Sequence, residues 1–281
     1  MNHDALPSPP GSEPEWGAEL LDLDAYLARI GYEGPRTATV ETLRGLHRAH
    51  LAAISFENVT IALGEPVDIG VEAIQDKIVG AGHGGYCYEN NLLFAAALER
   101  LGFPVSRLLA RVRRGVAPIR WRSHTVLLVE AGGEVWLADV GFGDEGPLEP
   151  VRFQAGAELE VGAWSWRLDQ EGPDWILRSL HADGWFDVYA VRLERQHPVD
   201  FQVANYYSST NPRSPFVTNL VAQRPEDQVR YSLVNRVLST QFPDGRKDVA
   251  ELSGDEVVRT LRDTFLVALT DDEAKLLRDR P

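Results

Sequence analysis

The chain has 281 residues, 44% of them hydrophobic and 9% aromatic, enough for one large folded unit or a few layers around linked cores. With 28 lysines plus arginines against 42 aspartates plus glutamates its formal charge is −14, which argues against general nucleic-acid binding. A single cysteine, Cys87, excludes an internal disulfide and a multi-cysteine metal site, and fits a reducing cytoplasm.

The N-terminal stretch lacks the basic and apolar regions of a secretory signal, and no apolar run approaches the about 18 residues of a membrane span. Its proline, glycine and acidic residues predict a disordered tail over residues 1–21. Residues 22–103 then read as helical. Leu23, Tyr26, Leu27 and Ile30 mark a first amphipathic helix. "TVETLRGLHRAHLAAI" gives a second, and "VEAIQDKIVGAG" a third that ends on glycine. His47 and His50 in the second helix are assigned structural or surface roles, since no carboxylate or thiol spacing accompanies them. The fourth helix follows Cys87, which two glycines precede. A thiol at a helix N-terminus meets backbone N–H groups and the positive end of the helix dipole, both of which favour a thiolate.

From residue 104 to 200 the pattern changes to strands broken by glycine turns, with "VEAGGEVWLADV" predicting a hairpin closed by Gly132-Gly133. Five arginines fall between Arg111 and Arg122, on an otherwise acidic chain. A solvated strand edge would explain them, and so would a local site for phosphates, which suit guanidinium forks. Residues 201–281 mix signals. "YSLVNRVLSTQ" reads as a strand pair, Ser253 caps one helix and Thr270 begins the last.

His124 opens one strand of the predicted hairpin and Asp139 closes the other, so their ends are close. A satisfied pair at a strand end would have the same pattern. A lone thiol, a histidine and a carboxylate are, however, the set that activates a thiolate and fixes the imidazole tautomer.

"GGYCYENN", "RSH" and "ADVGFG", with 37 residues from Cys87 to His124 and 15 from His124 to Asp139, resemble the arylamine N-acetyltransferase family. Its nucleophile signature reads Arg-Gly-Gly-x-Cys-x-Glu-x-Asn. "ISFENV" and "NYYSSTNPRSPFVTNLVAQR" are similar too, so the resemblance runs from about residue 22 to the C-terminus. It implies an α+β fold with a helical N-terminal domain (22–103), a central β-barrel (104–200) and a C-terminal α/β lid (201–281). The first two would resemble the core of papain-like thiol enzymes.

It further implies ping-pong transfer of acetyl from acetyl-CoA to an aromatic amine or hydrazine, with no bound cofactor or metal. Cys87 would be the nucleophile, His124 the base and Asp139 its orienter. Phe142 and Gly143 would line the cleft, while Arg120 and Arg122 would help bind the coenzyme phosphates. One departure stands out: the family's arginine is His83 here. His83 is therefore expected to pair with Glu57, joined by Arg29, and to hold the nucleophile loop. An amide synthase of the same family, which closes polyketide macrocycles, would share these motifs. A thiol peptidase or transglutaminase would share the chemistry but not the match through "YYSSTNPRSPF". A catalytically inert binding module would be expected to lack one of the three residues, and all three are present.

Overall fold

The computed structural model describes residues 16–114 and 119–280. Helices come first, and the first two α-helices are each started by a side chain that takes up an orphan N–H. Asp22 accepts from Ala25 N at the start of α1 (Leu23–Arg29), and Thr39 accepts from Thr42 N at the start of α2 (Val40–Ala53). After a two-residue strand β1 (Phe56–Glu57) come α3 (Val59–Ala62) and α4 (Val71–Gln75), the latter continued by a π turn, Asp76–Gly80. The fifth helix, α5 (Cys87–Arg100), is buried on all sides from Cys87 to Leu98, including the polar Glu89, Asn90 and Asn91. A helix enclosed in this way belongs to the centre of a molecule.

The predicted hairpin forms from β3 (His124–Ala131) and β4 (Glu134–Ala138), preceded by β2 (Val105–Val112). Gly132 and Gly133 take φ of 62° and 77°, the left-handed conformations that such a turn requires. The strands β5 (Val151–Arg152), β6 (Ala157–Val161), β7 (Trp164–Glu171), β8 (Asp174–His181) and β9 (Gly184–Val191) complete an antiparallel sheet. Its order is β5-β4-β3-β2-β9-β8-β7-β6, and β5 and β6 meet, so the eight strands nearly close into a barrel.

The chain then forms α6 (Pro198–Thr210) and α7 (Pro215–Thr218). Four strands follow: β10 (Val221–Pro225), β11 (Arg230–Val234), β12 (Val237–Gln241) and β13 (Lys247–Glu251). They join the distant β1 in a second sheet, with β1 at one edge against β10. The strand pair read in "YSLVNRVLSTQ" is β11 with β12. The last two helices, α8 (Gly254–Asp263) and α9 (Asp271–Arg278), start from Ser253 and Thr270 with full capping boxes.

One apolar cluster runs through the N-terminal helices and the eight-stranded sheet, and a second joins α8 and α9 to the five-stranded sheet. Residues 1–15 of the expected tail lie outside the described residues, but 16–21 are ordered. Trp16 meets Phe201 edge-on at 5.0 Å, the Arg107 guanidinium lies 4.5 Å from the Trp16 ring, and Leu21 is buried. A proline- and acid-rich composition hid these two apolar anchors. Among the described residues no helix is long and apolar enough to cross a membrane.

Candidate functional site

The two glycines before Cys87 are needed because the segment leading into β1 crowds the first and the first turn of α5 crowds the second. A Cβ on Gly84 would overlap the Ser55 carbonyl, and one on Gly85 would lie 2.8 Å from the Glu89 Cβ. Glu57 N donates to Gly85 O at 3.0 Å, which fixes this approach. Tyr86 is then the N-cap of α5 and Cys87 its first residue, with Glu89 accepting from Tyr86 N at 3.0 Å. Asn90 adds a neutral chain behind them. Its Nδ2 donates to Gly85 O at 2.6 Å, and His50 joins its Oδ1 (3.3 Å) to the Tyr26 hydroxyl (2.9 Å).

Cys87 is only 2% exposed. Burial pushes its thiol up and the Asp139 charge adds to that, while backbone hydrogen bonds at Thr125 and Tyr88 recover only part. The helix N-terminus alone therefore does not make the expected thiolate. The sulfur lies 3.5 Å from Ser123 O, within reach for the thiol to donate to it.

The β3–β4 register sets Leu127 opposite Ala138, which brings His124 and Asp139 to the same end of the hairpin. His124 Nε2 lies 2.7 Å from Asp139 Oδ2, both side chains being buried, so Nε2 is the nitrogen committed to the carboxylate. Asp139 Oδ1 accepts from Asn91 Nδ2 at 2.9 Å and from Gly141 N at 3.0 Å. Burial works to raise this carboxyl. The charge and hydrogen bond of His124, with Asn91 and Gly141, carry it below the ordinary carboxylate value instead. Gly141 also brings the loop against Cys87, since a Cβ there would lie 2.9 Å from the Cys87 Cα.

Two supporting residues were not read as part of this site from the sequence. Asn91 bonds Thr125 O, Asp139 Oδ1 and Val140 N, locking α5 to the hairpin end. Two adjacent asparagines directly before the apolar run "LLFAAAL" were the available signal. His47 is structural, as assigned, but it serves this site: its Nε2 accepts from Asp139 N at 3.3 Å and its Nδ1 donates to Leu148 O at 3.2 Å. Burial brings its pKa down to about 4, so the ring is neutral and can accept.

Phe142 meets the His124 ring edge-on at 5.0 Å, and Tyr189 lies 5.0 Å from the same ring. A second aromatic group surrounds the helix start, with Tyr86 5.3 Å from Tyr88 and 5.7 Å from Phe216, and Phe56 5.8 Å from Phe216. Gly143 takes φ of 92°, and a side chain on it would run into Gln223 of β10.

Among the arginines, Arg113 pairs with Asp187 at 3.1 Å, Arg114 with Asp144 at 3.1 Å, and Arg122 with Glu194. Carboxylates thus already occupy three of the five, as on a solvated edge. Arg111 donates to Arg120 O, and the Arg120 side chain is exposed.

His83 does not pair with Glu57. Its Nε2 lies 3.4 Å from Glu273 Oε1 on α9, because Gly82 and His83 turn toward the C-terminal segment, where Ala268 N donates to Gly82 O at 3.2 Å. The cation that serves Glu57 is Lys77, 3.9 Å from Glu57 Oε1 and 2.7 Å from Glu89 Oε1. Burial works to lower the Lys77 pKa, and the Glu89 and Glu57 carboxylates lift it above its usual value. Among the described residues Arg29 joins no carboxylate. It donates to the carbonyls of Ile78 (3.0 Å), Ala53 (3.0 Å) and His83 (3.3 Å), tying the loop through its backbone.

A family model described as N-acetyltransferase matches residues 39–274. The arylamine N-acetyltransferase of Mycobacterium tuberculosis is 35% identical over 257 residues, covering 89% of this chain and 91% of that protein. The crystal structure of Nocardia farcinica arylamine N-acetyltransferase superposes with a TM-score of 0.89 at 40% identity, covering 95% of this chain and 98% of that one. The Mycobacterium marinum enzyme, solved in complex with CoA, gives a TM-score of 0.86 at 36% identity over 92% of this chain and 98% of its own.

Proposed function

The chain belongs to the arylamine N-acetyltransferase family, and from that premise we propose that it moves acetyl from acetyl-CoA to an aromatic amine or hydrazine through an acetyl-cysteine. The observation that carries this reading is the buried 2.7 Å contact between His124 and Asp139, on the loop that packs against Cys87. Asp139, held ionised, sets the imidazole with Nδ1 free, so His124 can take the Cys87 proton as the sulfur attacks the thioester carbonyl. Because burial opposes an isolated thiolate, the thiolate exists only beside the imidazolium it creates. When the tetrahedral intermediate collapses, CoA leaves as its thiol with that proton. The amine then attacks the acetyl-cysteine and gives a proton to His124, and Cys87 is released.

Aromatic groups around the helix start, from Phe56, Tyr86, Tyr88 and Phe216, suit a planar amine. Phe142 and Gly143 belong to the same cleft in this reading. The coenzyme phosphates fall to Arg120, which is exposed, more than to Arg122, whose charge Glu194 already meets. In this reading a nucleophile helix set against a barrel strand that carries the base makes the core papain-like.

Intact-mass measurement after mixing with acetyl-CoA and no amine should show one added acetyl group, mapped to Cys87, with a burst of free CoA equal to the enzyme. Cys87→Ser should abolish both. Undiminished transfer by that variant would falsify the nucleophile assignment.

A further inference from the structure

The loop that leaves β4 carries Asp139, Phe142 and Gly143, and then reaches Asp144 and Glu145. Asp144 pairs with Arg114 on the barrel, while Glu145 turns inward and is 7% exposed. Its Oε2 accepts from Ser179 Oγ at 2.6 Å and from Arg230 Nη1 at 2.8 Å, and lies 3.2 Å from His181 Nε2. Its carbonyl accepts the Trp166 indole N–H at 3.0 Å. Burial works to raise this carboxyl, but His181, Arg230 and Ser179 bring it down to about 2.

Arg230 is the unusual member. It comes from β11 of the other sheet, is 2% exposed, and lies 3.9 Å from the centre of the Trp164 ring. Its Nε and Nη2 have no hydrogen-bond partner among the described residues. A buried ion pair so incompletely satisfied is a poor source of stability, since apolar side chains of similar volume often serve as well. What the pair does supply is a fixed position. The β10–β11 hairpin touches the loop at two points, Gln223 against Gly143 and Arg230 against Glu145. Phe142 lies beside the first of them and stands edge-on to His124.

We propose that Arg230 is a positioning residue: by gripping Glu145 it fixes the loop from Asp139 to Gly146 so that Phe142 stands against the His124 imidazole. Through it the five-stranded sheet sets the surroundings of a base held in the eight-stranded one. The consequence for acetyl transfer rests on His124 being that base. The geometric claim does not.

The test uses protein labelled with ¹³C in its histidine rings. The Phe142 and Tyr189 ring currents displace the His124 resonances, which Phe142→Ala and His124→Gln identify. In Arg230→Met the His124 signals should move toward their position in Phe142→Ala, and the rate of Cys87 acetylation should fall by about tenfold, the size of effect that small misplacements cause. Arg230→Lys, which keeps a cation for Glu145, should return both part of the way. Should Arg230→Met not fold, the double variant Glu145→Gln/Arg230→Met leaves no buried charge unpaired and should show the same shift. A folded variant with lowered melting temperature but unmoved His124 resonances and a wild-type acetylation rate would overturn the proposal. If wild-type protein took no acetyl from acetyl-CoA, the reaction itself would be misassigned, while the resonance shift would still decide what Arg230 holds.

Discussion

Glu89, in the first turn of the helix that carries Cys87, and Asp139, on the loop packed against that helix, are both buried carboxylates, yet their surroundings drive them in opposite directions. Asp139 accepts from an imidazole, a carboxamide and a backbone N–H, and it ends below its ordinary pKa. Glu89 accepts from Lys77 and from Tyr86 N, but it shares that one ammonium with Glu57. Burial therefore wins there, and the Glu89 pKa rises. Several neutral donors and a matched imidazole hold the charge on Asp139 steady. A single cation between two carboxylates serves instead to lock three segments together, namely β1, the π turn and the first turn of α5.

The largest expected effect breaks the Asp139 side. Asp139→Asn keeps the shape but supplies an amide where His124 needs an acceptor, so the imidazole loses its tautomer. Cys87 acetylation should slow by about 10³-fold or more, by analogy with the same change in serine–histidine–aspartate sites. The fold should survive, because Asn91 and His47 still hold the loop. Stopped-flow release of CoA measures the rate, and a loss below tenfold would show that Asp139 does not orient the base.

The Glu89 side should fail differently. Lys77→Met leaves Glu57 and Glu89 buried without their cation, which costs about 3 kcal/mol or more of stability. Denaturant midpoints would report it, with Lys77→Arg close to wild type. Protein that remains folded should acetylate within about threefold of the wild-type rate. A large rate loss without a stability loss would reverse the roles assigned to the two carboxylates.

The contrast also explains what could be read in advance. Cys87, His124 and Asp139 were legible because their spacing, a glycine pair and a two-glycine hairpin each leave a local mark in sequence. Ser253 and Thr270 did the same for the last helices. Lys77 left no such mark. It lies in "QDKIVG", where a regular α-helix is expected, and a π turn at Asp76–Gly80 intervenes. Its partners Glu57 and Glu89 are distant in sequence and meet only after β1 packs on the glycine loop. His83 was misread for the same reason, since Glu273 is brought to it by the C-terminal helix. The pairing of Arg122 with Glu194 likewise depends on β2 lying between β3 and β9, which are distant in sequence. Long-range charge pairing is set by tertiary contacts that no local pattern encodes.

His47 and His50 give the finest division between the two sides, because one bonds Asp139 N and the other bonds Asn90 behind the glycine loop. Burial lowers both, His47 to about 4 and His50 to about 3, against an ordinary value near 6.5. As pH falls below about 6.5, the unfolded chain takes up protons that the folded rings refuse. Their contribution to stability is therefore complete above that value and is lost progressively toward pH 4 and pH 3. Each ring can tilt the stability profile by up to about 1.4 kcal/mol per pH unit. His50→Gln and His47→Gln should each be less stable than wild type at pH 7, with the gap narrowing as pH drops to 5. Only His47→Gln should also slow Cys87 acetylation, by a few fold, because it alone touches the Asp139 backbone. Urea titrations at several pH values, paired with CoA-release rates at pH 7, separate the two effects. Equal rate losses in both variants would mean that the Asp139 side and the Glu89 side are a single network.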